Sequence, residues 1–462
     1  MIRALSRATA WTACLSAIVA SGCGERVVLD LYPCEAEDCS GRPTGGAAQG
    51  GSSGGAEGGS AASAGASAGG CGTLLSRVHT TYPTLPAAAV ASDEYHPMLL
   101  AARSDDTSLL GYKEAGAARV KVVALDATGE VSAEVFEAEG EEAHALLAHD
   151  TGGALVYMRD DPDIYSSQHC RGTDTPGAAV CGSLELVRFD DLGEVTMSAT
   201  LTDEVTVDDR AALFIWWFEH TARLVWADNT YGVYFRSAAW PSLYTDDMPH
   251  PTDTLRFIDE TGNRLDRGWS IGCTPSWGIR LAYNGFWAAV CHGDISPTAH
   301  RVSVFDDSGQ RDFTFLEGVP PRDRALGGVA NAADGFWLSY LVRGAASVEL
   351  HLARVTDAPG LEGDHVVEEA TDLEVVETPA YVFQAHLAGY GDDLLLGWES
   401  GGRLVLAVAD FDTGDVIEGP VATDAPIDSF VDFVTYPGGD VGWAHSEGPD
   451  RVSVTRVRSC RE

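Results

Sequence analysis

Short runs of alternating apolar and polar residues fill the chain from Leu74 onward, and they recur in a fixed order. A compact apolar stretch ending in an aromatic or small residue returns seven times. It reads Leu109-Leu110-Gly111-Tyr112, Leu155-Val156-Tyr157, Leu224-Val225-Trp226, Phe286-Trp287-Ala288-Ala289, Phe336-Trp337-Leu338, Leu395-Leu396-Gly397-Trp398 and Val441-Gly442-Trp443. Each is followed by another alternating run, such as Val120-Lys121-Val122-Val123-Ala124-Leu125. Alternation with period two marks half-buried strands. Six of these runs enter an acidic turn. Asp126-Ala127-Thr128-Gly129, Asp190-Asp191-Leu192-Gly193, Asp259-Glu260-Thr261-Gly262, Asp306-Asp307-Ser308-Gly309 and Asp357-Ala358-Pro359-Gly360 read Asp-x-x-Gly, and Asp410-Phe411-Asp412-Thr413-Gly414 is one residue longer. Asp at the first position and Gly at the fourth suit a type I hairpin turn, because the carboxylate accepts backbone N–H groups and Gly takes the positive φ that follows.

Successive turn glycines lie 47 to 69 residues apart, whereas a four-stranded blade of a radial array takes roughly 40 to 50. The pattern therefore predicts an all-β, seven-bladed β-propeller over residues 71–462, with six or eight blades as alternatives and insertions in the first two intervals. The last unit, Arg451–Val457, has no outer strand of its own, and the alternating segment Leu74–His79 has no blade. Pairing the two closes the ring through an N-terminal strand in the last blade and leaves no open edge. That pairing juxtaposes Cys71, just before one strand, with Cys460, just after the other, and predicts a disulfide between them.

Residues 1–22 read as a secretion signal: Arg3 and Arg7 precede an apolar run from Ala8 to Val19 that is too short to span a membrane. The signal ends in Ala20-Ser21-Gly22-Cys23, which resembles a bacterial lipoprotein cleavage box. The resemblance implies acylation of Cys23 and, with Gly24 following, sorting to the outer membrane of a Gram-negative cell, periplasmic or surface-facing. Residues 23–70 would then be anchor and tether. Ser40 to Gly70 is almost wholly Gly, Ser and Ala, a composition that stays a flexible coil with a reach of roughly 30 Å. Gly51-Ser52-Ser53-Gly54-Gly55 fits G-x-S-x-G formally but lacks the strand and helix a nucleophile elbow needs. The stretch Asp410-Phe411-Asp412-Thr413-Gly414 resembles the D-x-x-T-G core of quinoprotein-like propeller repeats. That family's tryptophan, four residues past the glycine, is replaced here by Glu418, so the resemblance implies a propeller and no cofactor residues.

Ten cysteines support export. Cys14 leaves with the signal and Cys23 carries lipid, which leaves the expected disulfides Cys34–Cys39, Cys170–Cys181, Cys273–Cys291 and Cys71–Cys460, as suits an oxidising compartment. No C-x-x-C pair or closely spaced histidine pair suggests a metal, and no metal or cofactor is expected. Acidic residues number 69 against 30 basic ones, of which only Lys113 and Lys121 are lysines. A net charge near −39 repels nucleic acid and anionic headgroups, so membrane contact is expected through the lipid alone. Five of the eleven tryptophans (Trp226, Trp287, Trp337, Trp398 and Trp443) fall at one point of the repeat and are expected to pack between sheets. There is no P-loop, no H-E-x-x-H and no dinucleotide fingerprint. The densest polar group is Cys291-His292-Gly293-Asp294 with His300 downstream.

The breaks in the repeat carry the functional expectation. Between the second and third strands, blade 2 is predicted to insert Arg159 to Ser183, blade 3 Asn229 to Thr254, and blade 4 Gly293 to His300. By strand count all three emerge on one face, where insertions in repeat arrays often form a binding surface. Tyr165, Tyr231, Trp240, Tyr244, Asp246, Asp247 and His250 are the candidate contacts, since aromatics with carboxylates suit sugars or peptides. The reading is a monomeric, membrane-anchored binding or scaffold module whose partner is an envelope protein, peptide or glycan. The alternatives are a glycan hydrolase or lyase on the same fold, and a purely structural envelope component.

Overall fold

Each blade is built because its strands alternate and because tight turns close them. In a computed structural model, the described residues are 71–92, 96–160, 181–202, 211–215, 222–240, 250–297, 299–306, 309–343, 347–356, 360–370, 385–427, 430–449 and 451–460. They form seven four-stranded antiparallel blades, and an extra strand, Ala211–Ile215, joins the second and third blades into one sheet. Among the described residues only two short 3₁₀ turns, Leu74–Arg77 and Pro321–Asp323, interrupt the strands. The innermost strands are Leu99–Ala102, Glu142–Ala148, Ala222–Ala227, Thr274–Tyr283, Arg324–Ala332, His386–Tyr390 and Val434–Thr435. Each touches the next, and the seventh touches the first. Seven hydrophobic clusters fill the seven interfaces between neighbouring blades. The ring is closed.

The acidic turns at 126–129, 190–193, 259–262 and 410–414 join third to outer strands as the pattern predicts, while parts of the turns at 306–309 and 357–360 lie outside the described residues. Gly129 N–H donates to the Asp126 carbonyl at 2.9 Å, Thr128 N–H donates to Asp126 Oδ1 at 2.8 Å, and Gly129 has φ 86°. Closure also follows prediction, with one shift. Leu74–Arg77 coils into a 3₁₀ turn, and the pairing strand is Val78–Thr81, antiparallel to Val454–Val457. The Cys71–Cys460 bridge is present with Cα atoms 5.7 Å apart, inside the range of about 4.4 to 6.8 Å a disulfide needs. Glu418 on the outer strand of blade 6 has a contact of its own. Its carboxylate accepts the Leu74 N–H at 2.6 Å and pairs with Arg77, whose guanidinium lies over the Tyr390 ring. The outer strand of blade 6 thus holds the incoming N-terminal segment.

Blade 3 departs from the sequence register. Leu224-Val225-Trp226 belongs to its innermost strand, and the second strand, Thr230–Trp240, follows a two-residue hairpin at Asp228-Asn229. Both turn residues have positive φ, 50° and 57°, the geometry of a type I′ turn that Asn and Asp tolerate. The blade 3 insertion therefore spans only 241–249, and the blade 4 link shrinks because its flanking strands reach Ser296 and His300. Trp226 is accordingly not equivalent to the other four tryptophans. Those four lie on second strands and pack between sheets, yet not alike. Trp287 packs on blade 3, Trp398 on blade 5 and Trp443 on blade 6, whereas Trp337 faces forward onto blade 6. Trp337 Nε1 donates to the Phe411 carbonyl at 2.8 Å, and a Cβ on Gly232 would meet the Trp287 ring at 2.4 Å.

Candidate functional site

Strand order fixes two faces. One carries the hairpins from innermost to second strands and the acidic turns. The other carries the links from second to third strands and the connections between blades. Of the residues expected to contact ligand, Tyr165, Tyr244, Asp246 and Asp247 lie outside the described residues. Trp240 and His250 bound the blade 3 link, Trp240 paired with Ala211 and His250 with Ala239, and their side chains also lie outside the described residues. So do the Cys34–Cys39 pair, Cys170 and the side chain of Cys181. Tyr231 is described and lies at the hairpin face, fully buried on the second strand of blade 3.

A cavity of about 640 Å³ opens on the hairpin face, lined by turns of blades 1, 2, 3, 6 and 7. Contributions from five blades identify it as a mouth of the central channel. Trp226 is half-buried in its wall. The indole is held by two neighbouring rings, with centroids 4.3 Å from Tyr231 and 5.4 Å from His149. His149 Nε2 shares a hydrogen bond with the Tyr231 hydroxyl at 2.7 Å. Burial, reinforced by the charge of Arg188, lowers the His149 imidazole to about 4, so it is neutral at physiological pH. Burial pushes the Tyr231 phenol up to about 12. Across the rim Ser104 Oγ donates to Asp150 Oδ1 at 3.1 Å, and Arg103 donates to Asp191 Oδ1 at 2.7 Å. The mouth is thus a fixed aromatic plate beside a carboxylate, a hydroxyl and a neutralised guanidinium.

Deeper in the channel the register places five ionisable side chains in one layer. Counting back from the closing pair of each hairpin, His144 and Arg223 stand four residues before Ala148 and Ala227, and Arg280 stands three before Tyr283. His386 stands four before Tyr390, and Asp432 three before Thr435. At about 3.3 Å per residue, this waist lies on the order of 10 Å below Trp226. Arg223 Nε lies 2.6 Å from Asp432 Oδ2 and Arg280 Nε lies 3.6 Å from Asp432 Oδ1, so blades 3 and 4 reach blade 7 across the axis. Burial raises the Asp432 carboxyl, but the Arg223 and Arg280 charges outweigh it and hold it below its ordinary value. Burial lowers His386 to about 4.

Two other clusters are structural. His292 and His300 form a cross-strand pair, ring centroids 4.7 Å apart. Both are enclosed, and burial drives both well below the ordinary histidine value. Asp253 lies within 4.8 Å of both sulfurs of Cys273 and Cys291, but those sulfurs are joined in a disulfide. Its carboxylate accepts from Trp269 Nε1 and the Cys273 N–H, both at 2.9 Å.

No family model matches the sequence, and no curated protein matches it. Solved structures do. A fungal fucose lectin of Aleuria aurantia, a six-bladed propeller, is 9% identical at TM-score 0.37, over 73% of this chain and 100% of its own. A puromycin-hydrolyzing peptidase of Mycobacterium tuberculosis is 14% identical at TM-score 0.47, over 82% of this chain and 54% of its own. The Dos1 propeller is 12% identical at TM-score 0.41, over 77% and 78%. None of these likenesses bears on what this chain binds.

Proposed function

We propose that this propeller is a ligand-binding module of the cell envelope, held to the outer membrane by lipid at Cys23 and taking a sugar ring at the hairpin-face mouth of its channel. The observation that carries this reading is the fixed Trp226 plate in a cavity of about 640 Å³, within the range typical of small-molecule sites. A pyranose presents an apolar C–H face and a rim of hydroxyls. The indole suits the face, and Asp150, Ser104 and Arg103 suit the rim. The wall gives little reason to prefer an ion, because His149 is neutral and Arg103 is paired with Asp191.

Catalysis on glycans is supported less well. Glycoside hydrolysis needs a carboxylic acid raised toward neutrality beside a second carboxylate. Asp432 is held down by two arginines, and His149 and His386 sit near 4. Asp253 is raised to about 6 but fully enclosed. Screening the Cys23→Ser protein on an immobilised glycan array tests the proposal. Saturable binding to a defined sugar, lost in Trp226→Ala, supports it; an array without signal contradicts it.

A further inference from the structure

We propose that Arg223 and Arg280 form an anion site at the channel waist, which takes the carboxylate of a small acidic ligand in exchange for the side chain of Asp432. The two guanidinium groups are oriented independently of Asp432. Arg223 Nη1 donates to the Ala222 carbonyl at 3.0 Å, and Arg280 Nη1 donates to the Ile279 carbonyl at 2.7 Å. Each arginine is thus pinned by the residue before it, with Nε close to the same carboxylate. Two guanidinium groups fixed around one point make a carboxylate receptor, since their planar donors match its two oxygens. Arg223 Nη2 is buried and finds no hydrogen-bond acceptor among the described residues. Asp432 leaves that donor unused.

The occupant is less fixed than the receptor. The Arg223 and Arg280 side chains are 10% and 3% exposed, whereas that of Asp432 is 40% exposed. Protein surrounds the carboxylate, yet water within the channel reaches it. Blade 7 has the shortest innermost strand, Val434–Thr435, and its pairing with the second strand begins only at Val434. Asp432 lies in the link before it, outside the ladder, so rotating its side chain breaks no sheet hydrogen bond. Two cations facing one carboxylate make this point attractive to an anion, in a protein whose net charge of −39 repels anions elsewhere. A sugar acid and a peptide C-terminus share the required chemistry. The site is separate from the mouth, and its test leaves Trp226 untouched.

The experiment uses the Cys23→Ser protein in two arms. In the first, Asp432→Ala is melted in sodium formate and in sodium chloride at equal ionic strength. Formate should raise its melting temperature saturably, and should not do so in the double variant Arg223→Gln, Asp432→Ala. No response in Asp432→Ala, or an equal response in the double variant, overturns the site. If Asp432→Ala does not fold, the near-isosteric Asp432→Asn enters the same comparison. In the second arm, glucuronate and N-acetylalanine are titrated calorimetrically into protein with Asp432 intact. Saturable binding of one, weakened at least tenfold by Arg223→Gln, identifies sugar acid or peptide terminus as the source. Binding of neither overturns the exchange.

Discussion

Reducing the Cys71–Cys460 bridge tests how the ring is held. The two residues are 389 apart in sequence, so the bridge closes nearly the whole domain. Chain-entropy bookkeeping for a loop of that length gives on the order of 5 to 6 kcal/mol of stabilisation, less any strain. Unfolding entropy scales as about 2.1 cal/mol/K per residue, so a domain of this size should lose roughly 6 to 7 °C in melting temperature. The native fold should survive. Val78–Thr81 stays paired with Val454–Val457, and Glu418 still holds Arg77 and the Leu74 N–H. The loss should appear first as local opening of the last blade, which alone is made from both ends of the domain. The assay is calorimetry of Cys71→Ser, Cys460→Ser beside native-state hydrogen exchange. Amides of 78–81 and 452–457 should lose protection while those of the Arg324–Ala332 strand do not. Adding Glu418→Ala should deepen the effect by about 1–3 kcal/mol, because Arg77, 6% exposed, is left without its carboxylate. Unchanged melting and unchanged protection, with both thiols shown free, would refute the clasp.

Gly232→Ala should destabilise by about 1–3 kcal/mol, because its Cβ would meet the Trp287 ring at 2.4 Å; urea denaturation showing no loss would remove this contact from the account. Stability should fall as pH drops from about 6.5 toward 4, because the unfolded histidines take up protons that His149 and His386, both lowered to about 4, refuse in the folded state. Denaturation at steps between pH 7 and 4 checks the slope, at most about 1.4 kcal/mol per pH unit for each group, and His149→Gln, His386→Gln should reduce it by their share, the enclosed His292 and His300 keeping theirs. Cys23→Ser should move the protein from the membrane to the soluble fraction, and unchanged fractionation would remove the lipid anchor from the proposal.

The fold was legible in the sequence because its signals are local. An Asp-x-x-Gly turn needs its carboxylate and its glycine wherever it stands, and Gly129 and Asp126 behave accordingly. The closing disulfide was legible because only one segment lacked a blade. Blade 3 was misread because Leu224-Val225-Trp226 and Tyr231-Gly232-Val233-Tyr234 alternate equally well, and the hairpin between them uses Asp228-Asn229 in place of glycine. Trp226 does pack against the core between blades 2 and 3, as expected, but it also lines the channel mouth, and Tyr231, expected in an insertion, is a core residue behind it. The waist was invisible for another reason. His144, Arg223, Arg280, His386 and Asp432 share no motif and no spacing, and they share a layer only once each innermost strand is counted from its own hairpin.

In the proposed function the channel mouth, and not the inserted links of the opposite face, is the place where ligand binds. Glycan-array binding measured in parallel for Trp226→Ala and Trp240→Ala separates the two faces. Removing a stacking plate costs roughly 2 kcal/mol or more, a factor of about 30 in Kd. That loss is expected in Trp226→Ala, with unchanged affinity in Trp240→Ala. Binding that survives Trp226→Ala and fails in Trp240→Ala would contradict the proposal.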